Sequence, residues 1–526
     1  HHRDLRGLNV KVVTTDKIYE EFSSGKQDIS AIRNFIRYVY YNASEPSKRL
    51  KYVGFFGDTS IDYKNRLSNN NNIVPTFHTV LNTSDTRSFM SDDFFASIGP
   101  DEGTIGGHSY DEFGDQKSDI DRLDIAVGRI VVDNVALANG VVDKIINYAS
   151  KNTYGNWRTN FVLISDDADK GKPGEADIQS SLDTLGNQIS DRKPYINVKK
   201  IHSDAFQQET SAGGDRYPEV NKAIEEALDV GAIVMNYFGH GGEDGLAHEA
   251  IYTKETAQEL LNKDNLPCFV TVTCEFTKFD NPLRITAGEL TFQNPDGGAI
   301  SLITSTRAVY INVGIEFNKK LAPYMFGYEP FDTAPTDRDP EVPAEALRLA
   351  KNDVASHNRR AMFYVGDPAM PLAFPEKDIQ ITKLNGVPIG QATDTLKALS
   401  RVKFEGEMKN ESGQLMSDYN GILEVRVYDK EVKRRTLDND GNGVFMDFTT
   451  LGEGIFNGKA SVRNGLFEFE FIVPRDIQIP VGNGRVSLYA QRENQFEDQT
   501  GVNLDILVGG LNENAPDDNE GPTIKL

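Results

Sequence analysis

The stretch "GAIVMNYFGHGG" (residues 231–242) joins a strand-like run to a polar, glycine-rich tip. Its first eight residues are mostly apolar, which is typical of a strand buried in a parallel sheet. His240 follows this run and is flanked by three glycines, Gly239, Gly241 and Gly242. Because ligands of open α/β sheets bind beyond the carboxyl ends of the strands, this tip is a candidate functional site.

Strand-like runs and helical segments alternate from residue 8 to about residue 305. The helical segments 28–43, 175–189 and 218–230 have apolar residues three and four positions apart. Alternation of strand and helix predicts an α/β fold with mostly parallel sheets. The predicted strands are 8–15, 51–58, 124–132, 160–167, 197–204, 231–241, 268–275 and 298–307.

A turn-prone stretch near 154–160 divides the α/β part into two side-by-side subdomains. We predict that they span residues 1–153, whose start is truncated, and 154–375. Short alternating strands with glycine and asparagine turns follow, which is typical of a β-sandwich over residues 376–508. Residues 509–526 are predicted to be an acidic linker that leads into a further, missing domain.

The charge of the chain is strongly acidic. With 79 acidic and 56 basic side chains, its formal charge is −23. Such a field repels nucleic acid, so we expect no nucleic-acid partner. The sequence also has no run of 18 uninterrupted apolar residues, which excludes an obvious membrane-spanning helix.

The two cysteines, Cys268 and Cys274, lie at opposite ends of one predicted strand. Six residues at about 3.3 Å each separate their Cα atoms by roughly 20 Å, which is too far for a disulfide. Cys268 at the buried end is interpreted as a small hydrophobic residue. Cys274 lies at the carboxyl tip, as His240 does on the preceding strand.

Parallel strands joined by a helix usually lie side by side, so these tips should bring the imidazole near the thiol. An adjacent imidazole activates a thiol as a nucleophile. A turn glycine and a buried cysteine each have an ordinary structural explanation, and only the pairing favours catalysis. Flanking glycines would let the backbone turn and present N–H groups to an oxyanion.

The segments "NYFGHGGEDG" and "LPCFVTVTCEF" resemble the gingipain family of cysteine peptidases, which has a caspase-like fold. The resemblance extends through "FFGDTS", "GEADIQ" and "YVGDPAMPLAF" over most of residues 8–374. More narrowly, "TCEFTKFDNP" and "GLFEFEFIVPRDI" are similar to the C-terminal signal peptidases, or sortases, of the type IX secretion system. The resemblance implies that residues 376–508 are an immunoglobulin-like domain.

By this resemblance Cys274 is the nucleophile and His240 is the general acid and base. The backbone N–H groups of Gly241 and Cys274 would hold the oxyanion. The acidic residue that orients the histidine matches Asp166, with Asp167 as the alternative. The family has glutamate at this position, and a solvated acidic turn explains both residues equally well.

The resemblance also implies a substrate pocket. Asp177 matches a family aspartate that binds a basic side chain of the substrate, although the helix dipole also explains an acidic residue in a first turn. Arg307 and Tyr310 could line the same pocket, with ordinary packing as the alternative. No cofactor is expected to be required.

Calcium is expected as a candidate structural ion, to which the "SDDFF" segment (91–95) could contribute. "DNDGNG" (438–443) alternates acidic residues as calcium loops do, but Thr449 stands where such a loop carries its last glutamate. We interpret it as a solvated loop. No zinc-binding pattern is present.

The resemblance implies a cysteine endopeptidase and transpeptidase at the cell surface, associated with the outer membrane. It would remove the C-terminal secretion domain of cargo through a thioester and attach the cargo to anionic lipopolysaccharide. Its partners would be these cargo domains and outer-membrane shuttle and attachment-complex proteins such as PorV. The alternatives are a secreted gingipain-like endopeptidase and a catalytically silent scaffold of the secretion machinery.

Overall fold

A computed structural model describes residues 1–79, 88–100, 102–103, 121–329 and 338–515. Most of the predicted linker 509–526 lies outside the described residues. The chain divides into two compact units, and the larger first unit contains most of the α/β part. The first unit comprises His1–Thr153, Asn160–Ala373 and Arg435–Asp447, and the second comprises Tyr154–Thr159, Phe374–Arg434 and the chain from Phe448 onward.

The first unit contains one eight-stranded sheet. Its strands are β1 Tyr52–Phe56, β2 Ala126–Ile130, β3 Asn160–Ser165, β4 Asn197–His202, β5 Val234–Phe238, β6 Cys268–Val272, β7 Ser301–Ser305 and β8 Met362–Val365. Seven of these lie within predicted strands, because fully buried strands need the apolar runs by which they were identified. Every residue of β5 and β6 is buried.

In space the strands follow the order β1-β2-β8-β7-β6-β5-β3-β4. β7 and β8 are antiparallel, whereas the other neighbouring pairs are parallel. The sheet thus consists of a five-stranded and a three-stranded parallel block that run in opposite directions. Both predicted α/β subdomains contribute strands to this one sheet. The predicted α/β fold with a mostly parallel sheet is confirmed.

Helices follow many of the strands, as the sequence pattern predicts. Asp28 accepts a hydrogen bond from the N–H of Ser30 and so caps the helix that begins at Ile29. The α-helices of the described residues are α1 His2–Arg6, α2 Thr15–Ser23, α3 Ile29–Tyr41, α4 Asp93–Ala96, α5 Val135–Tyr148, α6 Ala176–Arg192, α7 Pro218–Val230, α8 Lys254–Glu259, α9 Ala287–Gln293, α10 Ile311–Phe326 and α11 Pro343–Asp353. None of them is both long and apolar enough to cross a membrane.

The strand predicted for residues 8–15 is wrong. The backbone has no regular secondary structure from Leu8 to Thr14, and α2 begins at Thr15. The run "NVKVV" has the alternation of a strand, but in the described structure it has no neighbouring strand with which to pair. Shorter strands elsewhere in the first unit are Phe77–His78, Met90–Ser91, Glu209–Ser211, Gly214–Arg216, Gly241–Gly242, Gly245–Leu246 and Tyr252–Thr253.

The second unit contains two larger sheets. One has the order Val387–Pro388, Ile379–Leu384, Arg401–Met408, Leu466–Ile472, and the other Glu376–Lys377, Asp498–Asn503, Arg485–Arg492, Gly421–Tyr428, Gly454–Val462. Both contribute to one hydrophobic core, which includes Phe404, Val425 and Leu488. Residues along Arg401–Met408 are alternately buried and more exposed, as a strand with one face on a core requires. The immunoglobulin-like topology stays a prediction.

Candidate active site

His240 and Cys274 lie at the tips of neighbouring parallel strands. Phe238, the last residue of β5, is the register partner of Val272, the last residue of β6. His240 and Cys274 each follow two residues later, so they leave the sheet at the same level. Adjacent strands are separated by about 4.8 Å. The structure therefore brings the predicted histidine and cysteine to one place.

Close approach of neighbouring atoms, rather than a positive φ angle, requires glycine at positions 239 and 241 beside His240. Gly239, Gly241 and Gly242 are absent from the positive-φ residues of the described structure. A Cβ atom on Gly239 would lie 2.2 Å from Cβ of Asp166, and one on Gly241 would lie 2.6 Å from Oγ1 of Thr273. Close approach therefore explains Gly239 and Gly241, whereas the expected role of all three glycines in a sharp turn stays a prediction.

The imidazole of His240 has Glu175 as its nearest acidic partner among the described residues. Nε2 lies 3.1 Å from Oε1 of Glu175 and 3.9 Å from Oδ2 of Asp169. The first contact is an ion pair by distance, without the angle of a hydrogen bond. Glu175 is buried, and its Oε2 accepts the N–H of Asp169 at 3.2 Å. The main chain therefore holds this carboxylate beside the histidine.

His248 also belongs to this group. Its ring stacks on that of His240, with 5.0 Å between the ring centroids and 11° between the planes. Nδ1 of His248 lies 3.2 Å from Oδ2 of Asp169. The hairpin after β5 therefore places His248 against His240, a contact that was not predicted from the sequence.

Asp166 contacts His240 through the main chain. Its Oδ2 accepts the N–H of His240 at 2.7 Å, and Tyr237 donates its hydroxyl hydrogen to the carbonyl oxygen of His240 at 2.5 Å. Both interactions fix the backbone at the strand tip. Asp167 instead accepts the hydroxyl hydrogen of Tyr217 at 2.6 Å. Neither aspartate takes the position beside the imidazole that Glu175 occupies.

Cys274 is half-buried and is not part of a disulfide. Burial raises the pKa of its thiol, the N–H of Val309 opposes this by donating to the sulfur, and the charge of Glu275 raises the pKa further. The resting thiol is therefore protonated at neutral pH and needs a base. Glu275 has a φ of 53°, a left-handed conformation that is uncommon for a side chain of this kind.

The two predicted oxyanion donors belong to the same strand tips. Gly241 follows His240 directly, and its position against Thr273 places it beside the residue that precedes Cys274. The main chain after the cysteine is held by the N–H of Glu275, which donates to the carbonyl oxygen of Arg307 at 3.4 Å.

The predicted substrate-pocket residues have different surroundings. Asp177 lies in the first turn of α6 and lines a cavity of about 410 Å³ together with Asp204, Asp438 and Phe445. The Arg307 guanidinium is buried and bound to both carboxylate oxygens of Asp280, at 2.6 and 3.2 Å. Tyr310 is 50% exposed and precedes α10. The structure does not gather these three residues into one described cavity.

The two segments considered for calcium differ in their partners. In 91–95, Asp92 binds the buried Arg129, and Asp93 binds Lys351 at 2.7 Å. These carboxylates are already neutralised by basic side chains. In 438–443, Asp438 accepts N–H groups of its own loop, whereas Asp440 contacts Asp167. Two other groups could hold a metal ion, namely Asp169, Glu175, His240 and Asp166, Asp167, Glu249.

Comparison with protein families gives one match. The profile of peptidase family C25 matches residues 1–373. The chain belongs to this family of gingipain-like cysteine peptidases. No curated protein matches the chain. The strand tips with Cys274 and His240 lie inside the part that matches the C25 profile.

Three solved structures are similar to this chain, and the first of them reaches a TM-score of 0.50. The complex of the pro- and mature domains of RgpB from Porphyromonas gingivalis has 16% identity and a TM-score of 0.50, covering 97% of this chain and 95% of that one. The arginine-specific gingipain R structure has 16% identity and a TM-score of 0.48, covering 93% and 90%. Dimeric latent PorU from Porphyromonas gingivalis has 20% identity and a TM-score of 0.40, covering 99% of this chain and 42% of that one.

Glu175 and His248 were missed by the sequence analysis of this C25 peptidase. Glu175 lies in the "GEADIQ" segment, where the resemblance drew attention to Asp177 instead. Pro173, which opens the short turn Pro173–Glu175 before α6, was the available signal that a helix begins next to Glu175. His248 had no local signal, because only the fold of the hairpin brings it to His240.

Proposed function

We propose that this C25 peptidase cleaves peptide bonds with Cys274 as the nucleophile and His240 as the general acid and base. The register of β5 and β6, which brings both residues to one level, is the observation that carries this proposal. Glu175 would orient the imidazole. The protonated resting thiol fits a mechanism in which His240 removes its proton as the sulfur attacks.

In the first step, the sulfur of Cys274 bonds to the carbonyl carbon of the scissile peptide while His240 takes the thiol proton. The N–H groups of Gly241 and Cys274 would stabilise the oxyanion. His240 then gives the proton to the leaving amine, the C–N bond breaks, and a thioester remains. An incoming amine or water loses a proton to His240, attacks the thioester and releases the thiol.

Asp177 is the residue that we propose to contact a substrate side chain. Its cavity combines the carboxylates of Asp204 and Asp447 with the ring of Phe445, which suits a long side chain with a cationic end. Tyr310 would supply exposed aromatic surface to the substrate. Arg307 would act through its carbonyl oxygen, which holds the N–H of Glu275 next to the cysteine.

The finer proposal is transpeptidation. The amine would belong to anionic lipopolysaccharide, and the substrate would be a cargo protein whose C-terminal type IX secretion domain is removed. This proposal rests on the sequence resemblance to the secretion peptidases, to which PorU belongs. Its partners would be the cargo domains and outer-membrane proteins such as PorV, and its place would be the cell surface.

A thiol-directed acylating peptide probe tests the catalytic assignment. We expect labelling of the wild-type chain and of Cys268→Ala, because Cys268 is fully buried and its pKa is raised to about 12 by burial. Cys274→Ala and His240→Ala should not be labelled. Labelling that persists in Cys274→Ala, or a wild type that remains unlabelled, would favour a catalytically silent scaffold.

A second experiment separates transpeptidation from hydrolysis. The protein is mixed with a cargo that carries its C-terminal domain, with and without an aminosugar nucleophile, and the products are weighed by mass spectrometry. An amide adduct of shortened cargo, formed only with the amine and not by Cys274→Ala, supports the sortase. Hydrolysed cargo alone, at saturating amine, supports the endopeptidase instead.

A further inference from the structure

Six charged side chains beside the tips of β5 and β6 form an ionic network in which acidic and basic groups alternate. They come from the turn after His240, the segment after Cys274 and the start of α8. Each member lies at most 3.2 Å from the next, and the spatial order is Glu275, Lys278, Glu243, Arg284, Asp244, Lys254. With three acidic and three basic members, the network is neutral, although the whole protein has a formal charge of −23.

Glu243 and Asp244 form the turn of the hairpin that begins directly after His240. Gly242 and Gly245 are register partners, so only these two acidic residues connect the short strands of the hairpin. Two-residue hairpin turns usually need a positive φ, and hence glycine or asparagine. Neither acidic residue is among the positive-φ residues of the described structure. The torsion angles of the turn therefore do not account for its two acidic side chains.

Glu243 has two basic partners, and both belong to the segment that follows Cys274. Its Oε1 lies 3.2 Å from Nζ of Lys278, and its Oε2 lies 3.0 Å from Nε of Arg284. The second contact is an ion pair by distance, without the angle of a hydrogen bond. The carboxylate is 13% exposed, so solvent screens these pairs only partly. The carbonyl oxygen of Glu243 also accepts the N–H of Ala287 at 2.9 Å, which adds a main-chain contact with the same segment.

The outer members fix the two ends of the network. Lys278 also lies 2.8 Å from Oε1 of Glu275, which is the residue directly after the predicted nucleophile. At the other end, Asp244 binds the guanidinium of Arg284 and lies 2.6 Å from Nζ of Lys254, the first residue of α8. The network therefore joins the cysteine segment to a helix through the turn of the histidine hairpin.

The hairpin held by this network presents His240 and one of the proposed oxyanion donors. The carbonyl oxygen of His240 accepts the N–H of Ala247, which follows the returning strand, at 2.9 Å. Gly241 is the first residue of the hairpin. Because the hairpin closes on the histidine in this way, a displaced turn would move the imidazole and the N–H of Gly241 relative to Cys274.

We propose that Glu243 is a positioning residue of the peptidase and that the ionic network fixes the His240 hairpin against the segment after Cys274. This inference rests on the proposed cysteine peptidase function. Glu243 would act only through the position of the two reacting groups, since a displacement of about 1 Å can lower a rate about 10²-fold. Exposed ion pairs contribute little to stability, so the main effect should be on the rate.

The test follows acylation of the full chain by a thiol-directed peptide probe at several probe concentrations. We expect Glu243→Gln to lower the maximal rate constant of labelling about 10- to 100-fold, with little change in the probe concentration that gives half of this rate. The final labelled fraction should equal that of the wild type. A role in folding alone would instead lower the labelled fraction and leave the rate constant of the folded molecules unchanged.

Glu345→Gln is the matched control. The side chain of Glu345 is 21% exposed and binds Arg348 at 2.6 Å, so it is also a partly buried carboxylate in an ion pair. It lies on α11 and not at the tip of β5 or β6. Its variant should be labelled at the wild-type rate.

A double-mutant cycle tests the partner of Glu243. Arg284→Met should also slow labelling, and the double variant with Glu243→Gln should be faster than the product of the two single effects predicts, because both substitutions remove one shared contact. Arg284→Lys keeps the charge and should retain most of the wild-type rate. This set of variants does not depend on the folding of one protein.

A wild-type rate in Glu243→Gln would overturn the positioning role, and so would fully multiplicative effects of the two single substitutions. A wild type that is not labelled at Cys274 would overturn the peptidase itself and the positioning role with it. A failure of the positioning role alone is therefore distinguishable, because the wild type is then labelled and the variants match it.

Discussion

Glu175 places Oε1 3.1 Å from Nε2 of His240, and its other carboxylate oxygen is fixed by the N–H of Asp169. A carboxylate held in this way can orient the imidazole and leave the second ring nitrogen for proton transfer. This geometry favours Glu175, rather than Asp166, as the residue that orients the histidine.

Glu175→Gln is expected to lower kcat/KM by about 10²–10⁴-fold, the range for disturbing an acid–base group. Glu175→Asp should restore part of the activity. Glu219→Gln, which changes an acidic residue in the first turn of α7, is the control. If Glu175→Gln keeps the wild-type kcat/KM while Asp166→Asn is inactive, Asp166 rather than Glu175 is the residue that orients the imidazole.

Gly239→Ala is expected to destabilise the first unit by about 1–3 kcal/mol, as overpacking of a buried site does. The new methyl group would meet Cβ of Asp166 at 2.2 Å and the hydroxyl oxygen of Tyr237 at 2.6 Å. Gly242→Ala is the matched control, because no atom lies within 4 Å of its added Cβ. Urea unfolding of both variants measures the difference, and equal stabilities would contradict the close approach.

Asp280→Asn is expected to cost about 3–5 kcal/mol, because it leaves the buried guanidinium of Arg307 without its anion. Burial would raise the pKa of Asp280, but His78 and Arg307 outweigh it and hold the pKa below its usual range. The pair's stabilisation is therefore present above the unfolded pKa of about 3.9 and is lost as pH falls through the folded pKa.

Urea unfolding at pH 7 and at pH 3 tests this pair. The penalty of Asp280→Asn should be smaller at the lower pH, where the wild type begins to lose its own stabilisation. Adding Arg307→Met to Asp280→Asn should recover part of the loss at pH 7, since no unpaired charge remains. A double variant less stable than the single one would contradict the ion-pair explanation.

Lys144 provides a prediction at alkaline pH. Burial lowers the pKa of Lys144 to about 7, and Nζ donates to the carbonyl oxygens of Phe292 and Gly297, with no acidic partner in the part of the chain that the structure describes. Between pH 7 and about 10 the unfolded state binds the proton that the folded state lacks. Stability from this group therefore rises with pH, by up to about 1.4 kcal/mol per pH unit.

Lys144→Met should remove this slope between pH 7 and pH 9, which urea titrations at three pH values can measure. The variant also leaves two carbonyl oxygens without their donor, which lowers its stability at every pH. The test is therefore the slope of the free energy of unfolding against pH, not the stability at a single pH. Lys222→Met, at an exposed lysine of α7, should keep the wild-type slope. An unchanged slope in Lys144→Met would show that another group titrates in this range.

The strands of the sheet could be predicted from the sequence, whereas most of the side-chain contacts at the edge of the sheet could not. β5 and β6 were found because buried parallel strands are continuous apolar runs, and their adjacency follows from the helix between them. β8 is only four residues long and carries no flanking pattern that marks it as a strand. Residues 8–15 have the alternation of apolar and polar residues that is typical of a strand. A strand also needs a neighbour with which to pair, and alternation does not show whether one is present.

The adjacency of the strand tips that carry His240 and Cys274 was predictable, because both residues follow strands that adjoin. The positions of Glu175 and His248 depend on the paths of two loops that fold back toward the strand tips. The periodicity of apolar residues carries no information about the path of a loop. Asp166 follows β3 directly, whereas Glu175 ends the short helical turn that precedes α6. Which carboxylate meets the imidazole and which meets the backbone is decided by loop geometry and packing.

The position of β8 has a consequence for biosynthesis. Among the described residues this strand lies between β2 and β7, and its antiparallel pairing with β7 joins the two parallel blocks. It is also the last strand of the sheet to leave the ribosome. Every shorter nascent chain carries the unpaired edges of β2 and β7, which invite incorrect pairing until β8 is made.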